Sequence, residues 1–117
     1  SESQIDTKYC EGGLIHTEFS IQKAVLLGDQ PPTSTSTLKL LELLDLETSL
    51  KKRIAANYEF LRRFEQSLQI TNDSSSTKVG ANNNNLSRVS KLLGDEKVFS
   101  KLQRVISDQQ QLLKNLT

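Results

Sequence analysis

Apolar residues recur along the middle of the chain at alternating intervals of three and four, through Leu40, Leu43, Glu47, Leu50, Ile54, Asn57, Leu61, Phe64 and Leu68. This spacing keeps one stripe on one side of a helix and predicts a heptad seam inside a helix over about 37–70. At 1.5 Å per residue the seam is ~43 Å long, so the helix needs partners along its length. Leu38, Leu41, Leu44 and Leu46 lie outside the seam and make its first half apolar on more than one side. Glu47 and Asn57 interrupt the seam with polar groups, which either set register and partner choice or mark levels that are only partly buried.

A second apolar stripe follows at the C-terminal end. Leu86, Val89, Leu92 and Leu93 predict two helical turns before Gly94-Asp95, and Val98, Phe99, Leu102, Val105, Ile106, Leu112, Leu113 and Leu116 predict a longer helix after it. The stripe is broad, with Gln109 at one of its seam positions, and suits a bundle better than a two-stranded zipper. Between residues 14 and 27 the pattern fits either period. Ile15, Thr17, Phe19 and Ile21 alternate as in a strand, whereas Ile15, Phe19, Gln22 and Leu26 share a helical face. Helix is the preferred reading, because Gly28 and Pro31-Pro32 stand where a helix would stop.

The predicted fold is therefore all-α, a helical hairpin, bundle or coiled coil that is oligomeric or depends on a partner. It divides into a flexible lead over 1–13, a short helix and the heptad helix over 14–70, a low-complexity linker over 71–85, and a C-terminal helical segment over 86–117. The Ser- and Asn-rich linker offers no apparent apolar anchor. Thr33 to Thr37 form a hydroxyl-rich connector with Ser36 or Thr37 as the cap of the heptad helix, and Asn85 and Asp95 stand as caps further on.

Composition narrows the functions. Hydrophobic residues make up 35% of the 117 positions and aromatics 5%, with no Trp, which argues against a thick self-sufficient core. A net charge of +1 is too small to make the whole chain an electrostatic binder of nucleic acid or anionic lipid. Lys51, Lys52, Arg62 and Arg63 nevertheless form a short basic stripe, because residues eleven apart share a helical face. No apolar run reaches the ~18 residues of a membrane span, and a single cysteine excludes an internal disulfide and fits a reducing cytoplasm or nucleus. Three Asn-x-Ser/Thr triplets, at Asn72, Asn85 and Asn115, are what a chain rich in these residues produces by chance. The absence of methionine indicates that the native start is missing.

Candidate chemistry is sparse. Cys10 and His16 flank Gly12-Gly13 and are the conventional nucleophile and base, but neither lies in a recognisable motif and the sequence predicts no core nearby to hold them. One Cys and one His cannot complete a zinc site, and no phosphate-cradling glycine motif is present. No catalytic, cofactor or metal residue is predicted. The residues expected to matter are the seam named above, continued by Val98, Leu102, Val105, Leu112 and Leu116. The functional expectation is a non-enzymatic helical scaffold or adaptor that binds another protein or a second copy of itself. The alternative is a nucleic-acid-associated factor that uses the basic stripe.

Overall fold

The computed structural model describes residues 4–28, 36–71, 78–80 and 86–116. The helices expected from the apolar periodicity dominate: α1 (Leu14–Leu27), α2 (Thr37–Glu42), α3 (Thr48–Thr71), α4 (Leu86–Leu93) and α5 (Val98–Leu113), the last followed by a 3₁₀ turn over Lys114–Leu116. Strands β1 (Gln4–Asp6) and β2 (Lys78–Gly80) pair antiparallel, with Ile5 opposite Val79. The described residues thus form a helical bundle with a two-stranded ribbon. The connector over 29–35, the linker's Asn run and the proposed cap Asn85 lie outside the described residues.

The helix expected over 37–70 is two helices. Leu43 and Leu44 turn back onto the carbonyls of Leu40 and Leu41 at 3.1 and 3.2 Å, and α3 restarts at Thr48. Leucine density explains the break. Seven leucines between 38 and 50 would cover more than one side of a straight helix, and no single neighbour could bury them all. Breaking the helix lets α2 bury Leu40 and Leu41 with Ile21 and Val25 of α1, Ile54 of α3, and Leu112 and Leu113. Lys51 spans the break, its ammonium donating to the carbonyl of Glu42 at 3.0 Å, one of the acceptors that the end of α2 leaves open.

The segment expected to be a flexible lead is built into the fold. Asp6 Oδ1 accepts the N–H groups of Lys8 and Tyr9 at 3.2 and 3.1 Å, which tightens a turn after β1. Carbonyls of that turn then accept from α1: Thr7 takes the N–H of Leu14 at 3.1 Å and Lys8 that of Ile15 at 2.9 Å. Backbone, not a side chain, therefore satisfies orphan donors at the start of α1. The linker also has an anchor, since Val79 is fully buried in the larger apolar cluster with Leu61, Phe64, Leu68, Val89 and Leu102. Three residues of β structure were too short to show a period in the sequence.

Gly94 ends α4 with φ +68°, and the N–H of Asp95 reaches back to the carbonyl of Ser90 at 3.1 Å, a Schellman closure. Asp95 then accepts the N–H of Lys97 at 2.9 Å and leads into α5. Both α4 and α5 pack on α3.

Candidate functional site

Three helices meet at a buried amide. Gln109 sits among the apolar residues of α5 and is wholly buried. Its Nε2 donates to Thr17 Oγ1 on α1 and to the carbonyl of Ile54 on α3, both at 3.2 Å. Its Oε1 accepts from Asn57 Nδ2 at 3.2 Å, and the same amide group donates to Asp108 Oδ2 at 2.9 Å. The bracket ends at the surface, where Arg53 meets Asp108 Oδ1 at 2.6 Å. At its inner end the Thr17 hydroxyl donates to the carbonyl of Gly13 at 2.8 Å. Among the described residues no buried side-chain nitrogen or oxygen lacks a partner. The bracket is therefore closed, and its consequence is a fixed register between α1, α3 and α5.

One position beyond Thr17, Glu18 turns to an open cleft between α1 and α3, lined by Glu18, Gln22, Ser36, Thr37, Leu38, Tyr58 and Arg62 and enclosing about 450 Å³. The Tyr58 phenol donates to Glu18 Oε2 at 2.5 Å and accepts from the Thr37 side chain. Burial first, and then the Glu18 carboxylate, push the Tyr58 phenol above its ordinary pKa, so it remains a neutral donor. The guanidinium of Arg62, one turn further along α3, stands over the Tyr58 ring at 5.9 Å.

The Cys10 and His16 corner has different chemistry from a nucleophile and its base. The N–H of Gly12 donates to His16 Nδ1 at 2.8 Å, so that nitrogen serves as an acceptor and the neutral ring carries its proton on Nε2. Burial, and then the nearby Asp6 carboxylate, raise the Cys10 thiol above its ordinary pKa, opposite to the depression that activates a cysteine. His16 faces an open hollow with Glu11, Ser20, Gln110, Gln111 and Lys114. Among the described residues no three His, Cys, Asp or Glu side chains are grouped to hold a metal ion, and no helix is long and apolar enough to cross a membrane.

The predicted seam lies mostly inside this one chain. Leu40, Ile54, Leu61, Phe64, Leu68, Val98, Leu102, Val105 and Leu112 are buried in its two apolar clusters. Leu43, Leu50, Asn57 and Leu116 are half-buried, and Glu47 is exposed in the turn before α3. The basic stripe divides. Lys52 and Arg63 are exposed, Lys51 closes the α2 end, and Arg62 joins the cleft. Thr17, Glu18 and Tyr58 were not singled out as site residues. The one available signal was Gln109, a polar residue at a seam position.

Residues 1–116 match the protein family described as GlnD PII-uridylyltransferase. The chain belongs to that family. No curated protein and no solved structure matches it significantly. Membership overturns the expectation of a non-enzymatic scaffold or adaptor subunit, and with it the nucleic-acid alternative, because the family is one of nucleotidyl-transferring enzymes. The candidate chemistry legible in sequence is confined to Cys10 and His16, whereas the family match spans residues 1–116.

Proposed function

We propose that this chain acts in uridylyl transfer to a protein acceptor of the PII class, in the cytoplasm, where nucleoside triphosphates and a reduced Cys10 coexist. The observation that carries the reading is the family match over residues 1–116. In such a transfer an acceptor nucleophile forms a bond to the α-phosphorus of uridine triphosphate and pyrophosphate leaves. Catalysis of that displacement rests on positioning and on cations that offset phosphate charge. The described residues do not fit a metal site of the kind that commonly serves such chemistry, and no step is assigned through one.

What this chain offers is a face for the acceptor. The outer side of α1 presents Ile15, Phe19, Leu26 and Leu27, with Phe19 64% and Leu26 71% exposed, while Leu14, Thr17, Ile21 and Val25 hold its inner side to the bundle. An apolar stripe on a helix locked by the Gln109 bracket suits recognition of another protein. The test is transfer of labelled uridylyl from uridine triphosphate to a PII-class protein. Phe19→Ser with Leu26→Ser is expected to raise the KM for the acceptor about tenfold, or ~1.4 kcal/mol, with kcat little changed. Absence of transfer by the unmodified protein defeats the proposal.

A further inference from the structure

Cations gather where α3 and α5 lie side by side. The Lys101 ammonium stands 4.9 Å over the Phe60 ring, and Arg53 and Asn57 both meet Asp108, so α5 runs antiparallel to α3 along this edge. On α3, Lys52, Glu59, Arg63 and Ile70 recur at intervals of seven, four and seven and share one line. On the facing edge of α5, Lys97, Lys101, Arg104 and Asp108 recur at intervals of four, three and four. The antiparallel course places Arg104 and Lys101 at levels between Arg53 and Arg63. Lys52, Arg53, Arg63, Lys97 and Arg104 are exposed, and Lys101 is half-buried. These cations share the face with two carboxylates, Glu59 and Asp108, the second already held by Arg53 at 2.6 Å. Their excess is larger than the chain's net charge of +1, so the remainder of the chain is net negative and the positive field is concentrated here.

The arrangement selects among polyanions. From Lys52 to Arg63 the array runs about 16 Å along α3, too far for one phosphate group to bridge. Protein interfaces put apolar side chains at their centre and exclude lysine from it, whereas the centre here is Lys52, Arg63, Lys101 and Arg104. A nucleic-acid strand needs a ring on which its bases can stack, and Phe60, the ring between the two rows, is 6% exposed and covered by Lys101. An anionic bilayer asks for no matching shape, and each Lys or Arg brought close to it multiplies binding about fivefold. Ile70, 77% exposed at the end of the α3 line, has an apolar layer to enter beneath the headgroups. We propose that the α3–α5 face binds peripherally to an anionic lipid surface, with Lys52, Arg63, Lys101 and Arg104 on lipid phosphates and Ile70 among the headgroups. The inference is independent of the uridylyl-transfer reading, because vesicle binding is measured without nucleotide or acceptor.

The experiment is co-sedimentation of the full chain with vesicles of phosphatidylcholine alone and with vesicles in which about a third of the lipid is phosphatidylglycerol. At ~0.05 M salt the chain is expected on the anionic vesicles and not on the neutral ones, and it should be released as salt rises to ~0.5 M. Lys52→Glu with Arg63→Glu should weaken partition about tenfold or more while the helical spectrum is retained. Ile70→Ser should weaken it severalfold, and Lys23→Glu, an exposed cation on α1 outside this face, should leave it unchanged. The proposal is overturned if neither vesicle binds at the lower salt, if the two bind alike, or if Lys23→Glu weakens partition as much as the double reversal. It is equally overturned if a duplex oligonucleotide or poly-L-glutamate binds the chain more tightly than the anionic vesicles do. Should the double reversal fail to fold, Lys97→Gln with Arg104→Gln, both exposed, takes its place with the same expected loss of partition.

Discussion

Gln109 and Thr17 are 92 positions apart in the chain and share a hydrogen bond of 3.2 Å in the wholly buried centre of the fold. That bond joins α5 to α1, and the same amide reaches α3 through Ile54 and Asn57. Replacing Gln109 with Ala leaves a cavity and deprives the Thr17, Asn57 and Ile54 groups of a partner. A loss of about 3 kcal/mol is expected in urea denaturation. Asn57→Ala should cost less, since Asp108 retains Arg53. If the two variants were equally mild, the bracket would be ornamental to the fold.

Leu61 and the pair Lys52 and Arg63 separate the buried face of α3 from its wet face. Leu61 is fully buried and the two cations are exposed. Leu61→Asp must desolvate a carboxylate or open the core, a cost of several kcal/mol that should abolish the cooperative transition. Lys52→Glu with Arg63→Glu should shift stability by ~0.5 kcal/mol per site or less. Circular dichroism of both proteins checks the contrast.

The helical class and the buried side of α3 were legible because a 3.6-residue period written over many turns is redundant: Ile54, Leu61, Phe64 and Leu68 each report the same face. Where an element is short, that redundancy is missing. Ile5 and Val79 form one apolar pair across a three-residue ribbon, and no periodicity can be read from a single pair. The break between α2 and α3 was hidden for the opposite reason, because the heptad spacing continues through Leu43 and Glu47 although the backbone does not. On α1 the two apolar faces compete, and the one containing Ile15, Phe19 and Leu26 is the exposed one. The cleft was illegible in sequence, since Glu18, Thr37 and Tyr58 are brought together only by the packing of separate helices.

Val79 tests whether the ribbon holds the linker to the core. It is fully buried, so Val79→Ala should cost about 2 kcal/mol. Removing residues 74–84 takes away the whole strand and should cost more than the loop-closure term alone, which changes by only ~0.6 kcal/mol per doubling of loop length. A deletion that leaves the urea midpoint unchanged would show that β2 contributes nothing.

The Tyr58 phenol gives the fold a dependence on alkaline pH. Its folded pKa lies above its ordinary value of 10.0, chiefly through burial and then through the bond to Glu18. A raised folded pKa means that the contribution is fully present below the unfolded pKa and is lost as pH rises through the folded one. Stability should therefore fall as pH rises above about 10, and Tyr58→Phe should flatten that part of the profile. Equal slopes in the two proteins would remove Tyr58 as the cause.

Gly12 and Gly94 both adopt left-handed backbone, at φ +83° and +68°, yet only one is crowded. A Cβ on Gly12 would stand 2.4 Å from the Ile106 carbonyl oxygen and 3.1 Å from the Gln110 nitrogen, both backbone atoms of α5 that cannot swing aside. A Cβ on Gly94 would meet nothing within 4 Å. Gly94→Ala should therefore cost only the intrinsic left-handed penalty, about 1 kcal/mol. Gly12→Ala adds a collision to that penalty and should cost about 3 kcal/mol or more, because the turn after β1 must lift from α5. Lifting it also strains the Thr7 and Lys8 carbonyls away from the start of α1, so hydrogen exchange at Leu14 and Ile15 should accelerate in Gly12→Ala and not in Gly94→Ala. If the two alanines destabilised equally and left Leu14 protected, the turn would not be docked on α5, and the N-terminal segment would be bound to the fold through its ribbon alone.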